Sequence, residues 1–149
     1  MKRRIAGLNE AGQSAEDGVR DGLFLVRVVR AQHRWDARKA YYLLRFAILE
    51  PKEFNAHSIT GRIYSTPRAL WKLSWFLRDF GYDSELLGRD EIDEKSLIGL
   101  SGVVKISHVV VNGASLLNLD AFAPASQWES ALGSAARTTS NLDGSQVRP

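Results

Sequence analysis

The hydrophobic period of this chain changes twice along its length, and that change leaves few folds available. Apolar residues recur at every second position over Leu23–Arg30 and Ala40–Leu49, and again over a shorter run, Ile59–Tyr64. From Pro67 to Phe80 they recur about every 3.6 residues instead. After an acidic, irregular stretch from Asp83 to Leu100, the period returns to two over Val103–Val111 and Ser115–Phe122. The predicted order is β-β-β-α-β-β, mainly β with a single amphipathic helix between strands three and four. With 149 residues the chain has the length of one domain, and no internal repeat is visible.

The alternation assigns faces. In the first run Phe24, Val26 and Val28 share one side, with Leu25, Arg27 and Val29 on the other. The second turns Tyr42, Leu44, Phe46 and Ile48 inward and Tyr41, Arg45 and Ala47 outward, although Leu43 and Leu49 blur the outward set. Between these runs Ala31–Lys39 is polar and basic, and reads as the loop of a hairpin. Pro51 ends the second strand, because proline cannot donate to a central ladder. The third strand buries Ile59 and Ile63 and exposes Thr60, Arg62 and Tyr64, with Gly61 expected to permit a sharp bend.

For the helix, Thr66 is the expected N-cap and Pro67 suits a first turn, where an amide has no internal acceptor to lose. Leu70, Leu73, Leu77 and Phe80 form a stripe that Trp71, Trp75 and Phe76 widen, and Gly81 is the stop signal. Asn112-Gly113 between two apolar runs predicts a hairpin with a type I′ turn, because both residues accept a positive φ.

Charge is unevenly distributed. The net charge is only +3, yet Gly22–Arg78 holds eleven Lys or Arg against three acids, a local +8. Asp79–Pro149 holds five basic and ten acidic residues, and Met1–Asp21 balances four against four. A chain polarised in this way points to a polyanionic partner, with a solvated basic surface as the alternative. Residues 1–21 read as a flexible arm, 22–124 as the folded domain and 125–149 as a flexible tail, with Trp128 a candidate anchor.

Several chemistries lack their residues. The chain has no cysteine, so disulfides, zinc-thiolate sites and thiol nucleophiles are out, and a cytoplasmic setting is expected. Met1-Lys2-Arg3-Arg4 resembles the start of a signal peptide, but no apolar stretch follows, and none is long enough to span a membrane. Gly7 and Gly12 mimic half of a phosphate loop, with Gln13-Ser14 where a lysine is needed. Gly113–Leu117 lacks the second glycine of a nucleophile elbow. His33, His57 and His108 have no metal-ligand spacing, with His108 expected at the core edge, and Asp90–Glu94 lacks the glycine and spaced ligands of a calcium loop. No catalytic residue, metal or cofactor is expected.

What remains is an outward set on the first three strands, Arg27, Tyr41, Arg45, Arg62 and Tyr64. It is bordered by His33, Arg34, Trp35, Arg38 and Lys39 in the expected loop. Guanidinium groups meet phosphates and aromatic rings meet bases, which is what a single-stranded nucleic acid offers. The alternative is that Tyr41 and Tyr64 pair across strands and merely stiffen the sheet.

The order of elements matches the oligonucleotide-binding (OB) fold, a five-stranded barrel whose ligand face uses strands two and three with the loops between strands one and two and strands four and five. Beyond topology, the chain resembles a family encoded by phages and prophages, often alongside recombination and single-stranded-DNA-binding genes. The residues are Gly22-Leu23-Phe24, Tyr42–Ile48, the helix Leu70–Phe80 with Gly81, and Leu97–Val104. The resemblance covers roughly Gly22 to Pro124, and departs from the family pattern at Val103, where a Lys or Arg is expected, and at Trp35. It implies an OB-like barrel and carries over no binding residue. The resulting expectation is a non-catalytic protein that binds single-stranded nucleic acid in phage-like replication or recombination, with DNA as leading ligand and RNA as the other. The alternative is a protein–protein interaction module that docks through exposed Trp and Leu. A homo-oligomer is compatible with either.

Overall fold

Strands dominate the architecture. In a computed structural model of the chain, which describes residues 19–130, five of them form one antiparallel sheet: β1 (Gly22–Asp36), β2 (Lys39–Glu50), β3 (Ser58–Tyr64), β4 (Ser101–Val111) and β5 (Ala114–Pro124). Their spatial order is β3-β2-β1-β4-β5. The segment with Gly7–Ser14 and the tail beyond residue 130 lie outside the described residues.

Both hairpins close on two residues. The second does so as its sequence requires, with Asn112 at φ 52° and Gly113 at φ 81°. In the first, Ala37 and Arg38 take φ values of 49° and 69°, so the expected loop Ala31–Lys39 is instead strand on both sides of a tight turn. Arg34 and Trp35 therefore sit on β1 rather than on a loop.

The expected barrel is not closed. β3 and β5 are the two edges of the sheet, and no ladder joins them. They meet through side chains. A Cβ built on Gly61 of β3 would lie 2.7 Å from Leu119 of β5, so Gly61 allows a close approach of the two edges.

The inward faces of β1, β2 and β3 are those the alternation assigns, with Phe24, Val26, Val28, Leu44, Phe46, Ile48, Ile59 and Ile63 all buried. Over them lies α1 (Leu70–Asp79), preceded by a 3-10 turn at Pro67–Ala69. Thr66 makes no side-chain capping bond. The buried stripe is Leu73, Phe76, Leu77 and Phe80; Leu70 and Trp71, expected on it, are 49% and 63% exposed. Phe76 and Phe80 pack between Phe46 of β2 and Phe122 of β5, with ring centroids 4.6–6.3 Å apart. Two short helices follow, α2 (Ser84–Gly88) and α3 (Glu94–Leu97). Asp83 and Asp93 cap them by accepting from the amides of Glu85 and Leu86 and of Lys95.

Two glycines separate packing from propensity. A Cβ on Gly102 would meet the Phe80 ring at 2.6 Å and the Ala123 carbonyl at 3.0 Å, whereas one on Gly88 would meet nothing within 4 Å. Gly102→Ala is expected to lower unfolding free energy by about 1–3 kcal/mol through overpacking, and Gly88→Ala to raise it by roughly 0.5–1 kcal/mol. Urea titrations followed by circular dichroism measure both; a neutral Gly102→Ala would mean that Phe80 is not held against β4.

Candidate nucleic-acid interface

One irregularity decides which side chains face outward. Val28 pairs with Phe46 and Arg30 with Arg45, so Val29 is an extra residue, a β-bulge in β1. Val28 also donates its amide to Leu100 and accepts from the Gly99 amide, both at 2.8 Å, which ties the bulge to the chain entering β4. Before the bulge the odd residue Arg27 points outward. After it Arg30, Gln32 and Arg34 do, opposite Arg45, Leu43 and Tyr41.

The structure therefore gathers Arg27, Arg34, Tyr41, Arg45, Arg62 and Tyr64 on one face, with Lys39 in the same alternation near the hairpin end. It adds Arg30 and Gln32, which a uniform alternation through β1 leaves out. The signal for them is local: Arg27-Val28-Val29-Arg30 sets two arginines three apart around adjacent valines, which no unbroken strand can place on one face. Trp35 leaves the set. It is opposite Ala40 on the other face, 69% exposed, with its ring edge-on to His33 at 5.9 Å. Arg38 occupies the turn itself.

The two tyrosines of the expected aromatic platform pack against each other. Tyr41 is only 5% exposed, although it lies outside the central core. The Arg62 guanidinium sits 4.7 Å from its ring centroid, and Tyr64, its cross-strand neighbour, lies 5.5 Å away. Arg62 is engaged in turn. Asp36 lies 3.5 Å from it, and hydrogen bonding to Tyr64 raises its pKa above the ordinary value, with partial burial opposing. That ion pair is exposed on both sides and contributes little. Tyr41, Arg62 and Tyr64 thus form a cross-strand cluster between β2 and β3, with Tyr41 buried in it and the Arg62 side chain still about half exposed.

The other arginines of this face stand without an ion-pair partner among the described residues. Among the described residues no carboxylate lies within 4.0 Å of Arg27, Arg30, Arg34 or Arg45. Two are steered by neutral acceptors. Arg34 donates to Gln32 Oε1 from Nη2 at 2.7 Å and from Nε at 3.2 Å, and Arg45 donates to Ser58 Oγ at 3.1 and 3.3 Å. Between them lies a shallow depression of about 160 Å³, lined by Arg30, Gln32, Arg34, Leu43, Arg45 and Thr60.

The remaining candidates are occupied elsewhere. The His33 amide donates to Glu94, His57 packs against Phe54, and His108 lies 2.7 Å from Asp21, whose carboxyl this hydrogen bond holds below the usual range. Among the described residues no three histidines or acids converge on one point. Asp93 caps α3, and Glu91 pairs with Arg89 at 3.4 Å. Nor is any helix among those residues long and apolar enough to cross a membrane. No protein-family model matches this chain, and no curated protein matches it.

Arg30 and Arg45 face each other directly across the strands, an arrangement of like charges that costs stability. Arg30→Gln is expected to raise the melting temperature at low ionic strength by about 1–4 °C, corresponding to roughly 0.2–1 kcal/mol, with the gain shrinking as salt is added. Differential scanning fluorimetry across a salt series reads this directly. A fall in melting temperature would show that Arg30 is stabilising where it stands.

Proposed function

We propose that this chain is a non-catalytic binder of single-stranded nucleic acid, with DNA the first ligand to test, acting through the outer face of β1, β2 and β3. The observation that carries the reading is the row Arg27, Arg30, Arg34 and Arg45, four exposed arginines on one face with no carboxylate within 4.0 Å among the described residues. A protein that keeps such charges together gains from an anion that completes them. The depression that Arg30, Arg34 and Arg45 border is also lined by Leu43 and Thr60, which suits one strand with a phosphate and a sugar in contact.

The edges β3 and β5, brought together at Gly61 and Leu119, give a strand order in keeping with an OB-like plan, in which strands two and three form the ligand face. Phage-like replication or recombination is the setting that the resemblance over Gly22–Pro124 suggests.

A second reading, a protein-interaction module, rests on another surface. Leu70 and Trp71 are exposed on α1, and Val109–Val111 with Leu116 are exposed at the β4–β5 hairpin end, where no Asp, Glu, Lys or Arg occurs from Ile106 to Leu119.

Fluorescence anisotropy with a labelled oligo-dT separates the two. Affinity is expected to fall with salt at a slope of about −2, near −0.7 for each of three phosphates neutralised. Arg34→Glu with Arg45→Glu is expected to weaken binding at least about tenfold, while Arg89→Glu, remote in the acidic half, and Trp71→Ala leave it unchanged. Unaltered affinity in the double variant at low salt would rule out this face.

A further inference from the structure

We infer that Arg30, Arg34 and Arg45 form a receptor for the phosphodiester group itself, so that the ligand is held by its backbone and its bases contribute little. This rests on the reading of the outer face as a nucleic-acid interface, and narrows it to one chemistry.

Three observations converge on it. Arg30 and Arg45 are directly opposed in register, so their guanidinium groups emerge from neighbouring points on one face, with Arg34 further along the same strand. A phosphate between them turns a repulsive pair into two attractive ones, and the planar guanidinium fork matches its oxygens bidentately. Secondly, the groups that orient these arginines are neutral. Gln32 and Ser58 accept hydrogen bonds from Arg34 and Arg45 without cancelling charge, which pre-positions the donors and leaves the anion site to the ligand. A carboxylate in either position would do the orienting and abolish the site.

The third observation concerns the rings. Stacking needs an open aromatic face, yet Tyr41 lies beneath Arg62 and Tyr64, and Tyr64 is half-buried, with its ring against Tyr41 and its side chain hydrogen-bonded to Arg62. Trp35 is exposed, but on the opposite side of the sheet from the arginine row. The depression offers Leu43 and Thr60 instead, groups suited to a sugar. The ligand class is therefore a polyphosphate strand, recognised without regard to base.

The test compares oligo-dT with an abasic oligodeoxynucleotide of equal length and equal phosphate count, by competition against one labelled probe. Losing a single stacked base lowers affinity by about fivefold to a hundredfold, so the two reading modes are well separated. The inference expects dissociation constants equal within about threefold, parallel salt slopes, and Arg30→Gln weakening both ligands by the same factor. If oligo-dT binds and the abasic strand is more than about tenfold weaker, the backbone receptor is wrong, while the nucleic-acid reading survives with bases held elsewhere. Failure of both strands to bind at low salt overturns the nucleic-acid reading, and the receptor with it.

Discussion

The packing of two phenylalanines of one helix between two strands is what the rest of the molecule depends on. Phe76 and Phe80 lie between Phe46 and Phe122, and Gly102 leaves room for the Phe80 ring on β4. Edge-to-face aromatic pairs of this kind are each worth about 0.5–1.5 kcal/mol beyond their burial, and the cluster ties β2 to β5, strands that do not pair directly. An open five-stranded sheet would otherwise leave one face of its apolar residues in water. With α1 seated there, the inward face is covered and the outward face of β1–β3 is left free to carry charge.

The bulge at Val29 is the second determinant, and it links fold to chemistry. A regular strand would put Arg27 and Arg30 on opposite sides, with Arg30 turned toward the core, where a charge cannot be accommodated without a partner. The extra residue re-aims the strand, so three β1 arginines share one face with Arg45. The face then sets Arg30 opposite Arg45, like charges with no carboxylate within 4.0 Å among the described residues. Arg62, by contrast, is absorbed by Asp36, Tyr41 and Tyr64. Two kinds of arginine thus stand on one face, one engaged by its neighbours and one with no carboxylate within 4.0 Å among the described residues.

Much of this is legible before any coordinates. The inward sets of the first three strands, the helix and the Asn112-Gly113 turn follow from period and turn chemistry, because burial and positive φ leave clear marks on residue choice. The first hairpin turn leaves none. Ala37 and Arg38 are not turn formers, so the strands on either side read as a basic loop. The bulge is equally quiet: inserting Val29 costs one valine among several, and every outward residue after it changes sides. Leu70 and Trp71 mislead in another way, since the stripe on α1 is narrower than its apolar residues suggest. The aromatic part of the expected site is changed by a tertiary contact: the period turns Tyr41 outward but does not tell that Arg62 and Tyr64 cover it.

The central claim is that this molecule meets its ligand through arginines that its own acids leave alone. Titrating isotopically labelled protein with oligo-dT while following the arginine Nε–H signals tests it most directly. The signals of Arg30, Arg34 and Arg45 are expected to shift and saturate together, with those of Arg78 and Arg89 unmoved. Shifts confined to the Trp71 indole and the Val109–Val111 amides, with the arginine signals still, would contradict the account.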